Sequence, residues 1–216
     1  MKETGFLTKS IEKGGRQIKY VVYIPPAYDM NKATPAIIFL NGMGECGTDG
    51  LKQLAVGLGT AVMRNVEDWP FIIIFPQKQD AHADWGDEDA MVTAVLKKTQ
   101  REYKIDKSRL YLTGISQGGR GTWAIAAKHP DLFTAIAPVC GWGDEDMAKK
   151  LVGMPVWIFH GDADSVIKVE ESLKMAEYLK AGGLCKLTIY PGVDHNSWDK
   201  AYNEEKLYDW FLEHHR

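Results

Sequence analysis

Ser116 stands in Gly114-Ile115-Ser116-Gln117-Gly118, a G-x-S-x-G pattern. The apolar run at residues 110–113 leads into it, and a segment of helical composition follows. A tight strand-to-helix turn holds such a serine in a strained backbone conformation, with its oxygen clear of the sheet. Side chains two positions before and after would collide with it, which suits Gly114 and Gly118. The helix start also puts backbone N–H groups and a positive dipole end beside the oxygen. The chemistry this points to is nucleophilic attack on a carbonyl. The bland alternative is a glycine-rich helix start with Ser116 as its N-cap.

A serine needs a general base, and the base needs an orienting acid. Behind a nucleophile turn of this kind, the chain order is serine, acid, histidine. Of the later histidines, His129 reads as a helix C-terminus, His160 precedes the candidate acids, and His214 and His215 close the chain. His195, in the loop after the last apolar run, is the expected base. Two carboxylates compete upstream in Gly161-Asp162-Ala163-Asp164. Asp164 is the expected acid, because Asp162 falls within the turn and could cap the following segment. A solvated Asx turn would explain either. The separations are 48 residues from Ser116 to Asp164 and 31 from Asp164 to His195, each roomy enough for a helix-strand unit. The N–H of Gln117 is one expected oxyanion donor, and that of Met43, in the glycine-rich loop Asn41-Gly42-Met43-Gly44-Glu45, is the other.

These residues need elements to carry them. Residues 6–10 and 17–24 are β-rich, with a turn signal at 12–15, and read as an antiparallel hairpin. Six short apolar runs follow at 36–40, 71–75, 110–113, 135–139, 156–160 and 186–190. Most are continuous, as expected of strands buried on both faces. Helical segments are expected at 90–103, 122–128, near 147–152, at 169–181 and at 204–214. Alternating strands and helices imply a mainly parallel sheet with the hairpin at one edge. Its chemistry belongs at the carboxyl ends of the strands. No repeat or linker interrupts the 216 residues, so residues 1–216 read as a single domain.

Composition removes other classes. Hydrophobic residues make up 45% and charged residues 25%, and the net charge is −3 with 26 basic and 29 acidic residues. No basic surplus or stripe suits a nucleic acid. The longest apolar runs have five residues, against roughly 20 for a membrane span. The start Met1-Lys2-Glu3-Thr4-Gly5 shows no leader, so a cytoplasmic location is expected, with export after trimming as the alternative. Three cysteines, Cys46, Cys140 and Cys185, give neither a disulfide framework nor a zinc pattern. His82 and Asp84 lack a third metal partner in sequence. Gly42-Met43-Gly44-Glu45-Cys46-Gly47 matches G-x-G-x-x-G formally, but the glycines that follow prolong the loop where a helix should begin.

Taken together, these motifs resemble the α/β-hydrolase superfamily, and within it the compact phospholipase/carboxylesterase and polyhydroxybutyrate-depolymerase-like serine esterases. Asn41 to Asp49 is similar to their H-G-x-G-E-x-G-x-D loop, with asparagine where histidine is usual. His160-Gly161-Asp162-Ala163-Asp164 is similar to their H-G-x-x-D loop, whose second aspartate is the triad acid. Pro76-Gln77 and Pro138-Val139-Cys140-Gly141-Trp142 also look like that group, and the likeness runs from about Tyr20 to the end of the chain. The resemblance implies an α/β-hydrolase fold: a mainly parallel sheet of about eight strands, helices on both faces, antiparallel N-terminal strands and no large lid. It implies a carboxylic ester hydrolase with the triad Ser116, Asp164 and His195, and no cofactor. Short-chain, aryl or carbohydrate-linked esters, free or polymer-linked, are the expected substrates. Gly86, Gly141 and Gly143 sit near tryptophans in loops expected to face the site, so Trp85, Trp142 and Trp198 are candidate pocket walls, with core or rim packing as the alternative. The alternatives are a prolyl-oligopeptidase-like peptidase or amidase, and a non-catalytic binder on the same fold. Serine at position 116 disfavours a cysteine-based dienelactone hydrolase. Oligomeric state is not legible.

Overall fold

A residue in a strand points opposite to its neighbours, so a sheet buried on both faces needs two cores. The strands here divide that way. Tyr20, Val22, Ile24, Ala36, Ile38 and Leu40 join one core, while Val21, Tyr23, Ile37 and Phe39 join the other. The computed structural model describes residues 3–216; Met1 and Lys2, at the head of the segment read for a leader, lie outside the described residues.

Eight strands form one sheet: β1 (Gly5–Lys13), β2 (Arg16–Ile24), β3 (Thr34–Leu40), β4 (Ile72–Pro76), β5 (Ile105–Ile115), β6 (Ala135–Val139), β7 (Val156–Gly161) and β8 (Cys185–Tyr190). Their order is β1-β2-β4-β3-β5-β6-β7-β8. β1 and β2 pair antiparallel, as do β2 and β4, and the other pairs are parallel. The helices are α1 (Leu58–Arg64), α2 (Asp89–Glu102), α3 (Gln117–Lys128), α4 (Glu145–Lys150), α5 (Glu170–Leu179), α6 (Trp198–Asn203) and α7 (Leu207–Leu212). Residues of α2 to α5 join the first core, and those of α1, α6 and α7 the second, so the helices cover both faces. Burial of each large apolar side chain contributes about 1.5–3 kcal/mol. No helix among the described residues is long and apolar enough to cross a membrane.

Several elements differ from the sequence reading. α3 starts at Gln117, five residues before the expected start, because Gly118, Gly119 and Gly121 weaken the helical pattern there. Of the expected helix at 204–214 only the shorter α7 forms, and neither α6, which precedes it, nor α1 was anticipated. β5 extends beyond the apolar run at 110–113 at both ends.

The glycine after the serine has a packing cause. A Cβ on Gly118 would lie 1.9 Å from the carbonyl oxygen of Leu40. β3 pairs with β5 so that Leu40 stands opposite Gly114, and the first turn of α3 presses onto the end of β3. That contact brings the β3 loop and the serine turn together. Gly118→Ala is expected to destabilise the fold by about 3 kcal/mol through overpacking. Urea unfolding measures this, and an unshifted midpoint would refute the close contact.

Candidate active site

β5 ends at Ile115, and the chain turns at Ser116 with φ 54° and ψ −117°. A side chain in that region is strained, at a cost of about 1–3 kcal/mol. The neighbouring strand holds it there. The Ser116 N–H donates to the Val139 carbonyl at the end of β6 (3.0 Å), and the Ser116 carbonyl accepts from the Arg120 N–H (3.0 Å). Cys140, just past β6, is the other non-glycine residue with positive φ among the described residues, at 40°.

The structure brings Ser116, His195 and Asp164 together. His195 Nε2 lies 2.9 Å from Ser116 Oγ, and Nδ1 lies 2.8 Å from Asp164 Oδ2. A carboxylate only accepts, so its partner fixes the tautomer: Nδ1 carries the hydrogen and Nε2 is free to accept from the serine. Asp164 is 3% exposed. Its Oδ1 accepts from the N–H groups of Val166 (2.9 Å) and Ile167 (2.8 Å). It therefore forms the Asx turn proposed as its bland alternative and reaches His195 as well. Asp162 instead accepts the Gly192 N–H at 2.6 Å, so it ties down the histidine loop and does not cap the segment after it.

Other bonds tie those two loops together. A Cβ on Gly161 would lie 2.1 Å from the Val193 carbonyl oxygen, and only glycine permits that approach. Asp194 Oδ1 accepts from the N–H groups of Ser165 (2.8 Å) and His195 (2.7 Å). The Ser165 bond leads the causes that hold the Asp194 carboxyl below the usual aspartate range. His160, at the end of β7, is fully buried beneath the acid. Its Nδ1 accepts from Ser172 Oγ (2.6 Å), and its Nε2–H faces both the Ile167 carbonyl (2.9 Å) and Asp164 Oδ2 (3.2 Å). Sequence reasoning set His160 aside as a base and otherwise noticed it only as part of a motif. It missed Asp194, whose one signal is adjacency to His195.

Met43 opens a short 3₁₀ turn, Met43–Glu45, and Gln117 opens α3. A helix leaves the N–H groups of its first turn without an internal acceptor. Both residues line the cleft at Ser116. That cleft holds about 310 Å³, and Ile115, Trp142, Val166, Ile167 and Trp198 give it apolar walls. Trp198 meets the His195 ring edge-on at 5.4 Å. Glu45 also lines it, and burial pushes its carboxyl above the usual range against the pull of nearby backbone N–H groups. Trp85 is placed differently from the other two tryptophans. It is fully buried, and its Nε1–H donates to the Asn41 carbonyl at 2.9 Å, beneath the β3 loop. A second, polar recess of about 170 Å³ adjoins the cleft across Gln117 and Trp142. Roomier recesses of about 520 and 630 Å³ lie at the amino ends of β6–β8 and between β1 and α2, away from the serine.

Cys140 Sγ, an Asp164 oxygen and a His195 nitrogen lie within 4.8 Å of one another. This grouping does not fit a metal. Asp164 and His195 already bond each other, and metal ligation needs a thiolate. Burial pushes the Cys140 thiol up to about 12. Iodoacetamide at pH 8 is accordingly expected to leave Cys140 unmodified in the folded protein and to alkylate it in denaturant. Peptide mass spectrometry reads the result, and rapid labelling of native Cys140 would contradict its burial.

The sheet order, its antiparallel start and the strand-turn-helix at Ser116 are those of an α/β-hydrolase fold. Residues 68–208 match the dienelactone hydrolase family, and the chain belongs to it. Membership holds with serine, not cysteine, at position 116. A solved structure titled as a thermostable esterase superposes with a TM-score of 0.87 at 29% identity, over 98% of this chain and 63% of that one. Feruloyl esterase B of Neurospora crassa is 28% identical over 137 residues, 57% of this chain and 44% of that protein. A bifunctional acetylxylan esterase/xylanase of Neocallimastix patriciarum is 27% identical over 105 residues, 47% of this chain. This chain spans only 16% of the length of that bifunctional protein.

Proposed function

We propose that this protein is a serine esterase that cleaves carboxylic esters through an acyl-enzyme. The observation that carries the reading is the hydrogen-bonded line from Asp164 Oδ2 through His195 to Ser116 Oγ, at 2.8 and 2.9 Å, opening onto an apolar cleft. His195 Nε2 takes the Ser116 proton as Oγ attacks the ester carbonyl. Asp164 holds the ring in the tautomer that can do this and stabilises the imidazolium that forms. The N–H groups of Met43 and Gln117 receive the oxyanion. His195 then gives its proton to the leaving alcohol, the acyl–serine ester remains, and water activated by the same nitrogen releases the acid. No step draws on a cofactor.

The cleft argues for a small acyl group. A volume of about 310 Å³ is at the low end for ligand sites and suits a short chain or a single ring. Trp142, Trp198 and Ile167 offer flat apolar contact to such a ring. Met43 and Val166, exposed by 51% and 63%, leave the rim open, so an ester attached to a larger molecule also fits. The esterase names among the relatives, feruloyl and acetylxylan, favour the same substrates.

Hydrolysis of p-nitrophenyl esters of increasing chain length, with a feruloyl ester alongside, tests the reading. Ser116→Ala and His195→Ala are each expected to reduce kcat by about 10⁴-fold or more. Asp164→Asn is expected to lower it by about 10²–10⁴-fold by favouring the wrong tautomer, whereas Asp162→Asn keeps its acceptor oxygen and changes kcat by less than about threefold. Severe loss in Asp162→Asn with a mild Asp164→Asn would overturn the acid assignment. A wild-type protein inert to every ester, and to a serine-directed phosphonate, would leave a silent binder.

A further inference from the structure

Behind the two oxyanion donors sits a lysine that the mechanism above does not use. Lys78 follows β4 by two residues and is fully buried. Its backbone N–H donates to Asn41 Oδ1 at 3.3 Å. Its Nζ donates to Gln117 Oε1 at 2.6 Å and to the Ala83 carbonyl. Asn41 begins the loop that carries Met43, and its Nδ2 donates to the Gly42 carbonyl at 2.6 Å. Gln117 carries the other oxyanion N–H, and its own Nε2 is tied to the Ala81 carbonyl at 3.0 Å. One residue is thus bonded to both sides of the hole, by its backbone to the β3 loop and by its ammonium to the first residue of α3.

A neutral side chain could fill this space without the desolvation that a buried ammonium suffers, which amounts to several kcal/mol. Burial pushes Lys78 below the ordinary lysine range. Both oxygens that its Nζ bonds are neutral amide oxygens, so no carboxylate is hydrogen-bonded to its charge. The other charged or titratable groups facing it are Cys46 from the β3 loop, Asp80, His82, Asp84 and Glu88 from its own segment, and Arg120 from α3. Of these, Asp84 is engaged by Arg120 at 3.3 Å. A positive charge held in a poorly solvated place beside the hole favours negative charge developing there, at no reorganisation cost during the reaction.

We propose that Lys78 is a positioning residue of the oxyanion hole, holding the Met43 loop and Gln117 in register and lending the site a buried positive charge. The proposal rests on the esterase reading above. In the test, Lys78→Met lowers kcat on a p-nitrophenyl ester by about 30–100-fold with KM within about threefold. Affinity for an aryl boronic acid, which becomes tetrahedral on the serine, falls by the same factor. The wild-type rate declines at alkaline pH as Lys78 loses its proton, and Lys78→Met lacks that decline. Gln117→Met keeps the backbone N–H but removes the lysine's acceptor, and it decides the matter if Lys78→Met does not fold. It is expected to lose a similar factor, and the double variant to lose little more than either single one. Unchanged kcat in a folded Lys78→Met, an effect confined to KM, or additive losses would overturn the proposal while wild-type activity stands. A wild type that hydrolyses no ester overturns the esterase reading itself.

Discussion

A carboxylate removed from water needs partners for both oxygens, and Asp164 sets that demand at the centre of this molecule. Two donors come from its own loop, at Val166 and Ile167. A third comes from His195 in the loop after β8, and His160 at the end of β7 closes the remaining side. Satisfying one buried charge therefore fixes the orientation of an imidazole on a different strand. The same geometry selects the tautomer whose free nitrogen faces Ser116. Removing either side of this arrangement would leave a buried polar group without its partner, which costs far more than the bond contributes.

The parallel sheet supplies the frame. The carboxyl ends of β3, β5, β7 and β8 all lie on one side of the sheet, and register sets which residues meet there. Strain gathers on the same side. Among the described residues, the two non-glycine residues with positive φ, Ser116 and Cys140, lie at the ends of neighbouring strands, joined by the Ser116 N–H to the Val139 carbonyl. Two buried cores beneath them provide the packing that keeps both in place.

Much of this was legible because burial on both faces leaves continuous apolar runs, and all eight strands could be located from those runs and the leading hairpin. The start of α3 was hidden because close packing against β3, the end of β6 and Trp85 demands glycines, which weaken a helical pattern. The grouping of Ser116, Asp164 and His195 was readable from order and spacing, since each follows a strand. Trp85 was not. Its position beside glycines suggested the cleft, but its indole N–H found the Asn41 carbonyl and the ring went under the loop. Lys78 and His160 left no trace of their contacts, because a buried lysine or histidine looks in sequence like any exposed one. Their partners, Gln117 and Ser172, are 39 and 12 residues away.

β8 is an edge strand, paired on one side alone, and His195 hangs from its end. Edge elements open locally at a lower free energy than the whole fold. The proposed base therefore follows an edge of the sheet, while the nucleophile follows β5, held by neighbours on both sides. The stitches at Asp162, Gly161 and Asp194 add to the one ladder that holds β8. The lifetime of an assembled site is consequently a property of this margin and its few loop bonds. A protein whose cores are intact by every bulk measure of folding can still spend part of its time without a base in reach of its serine.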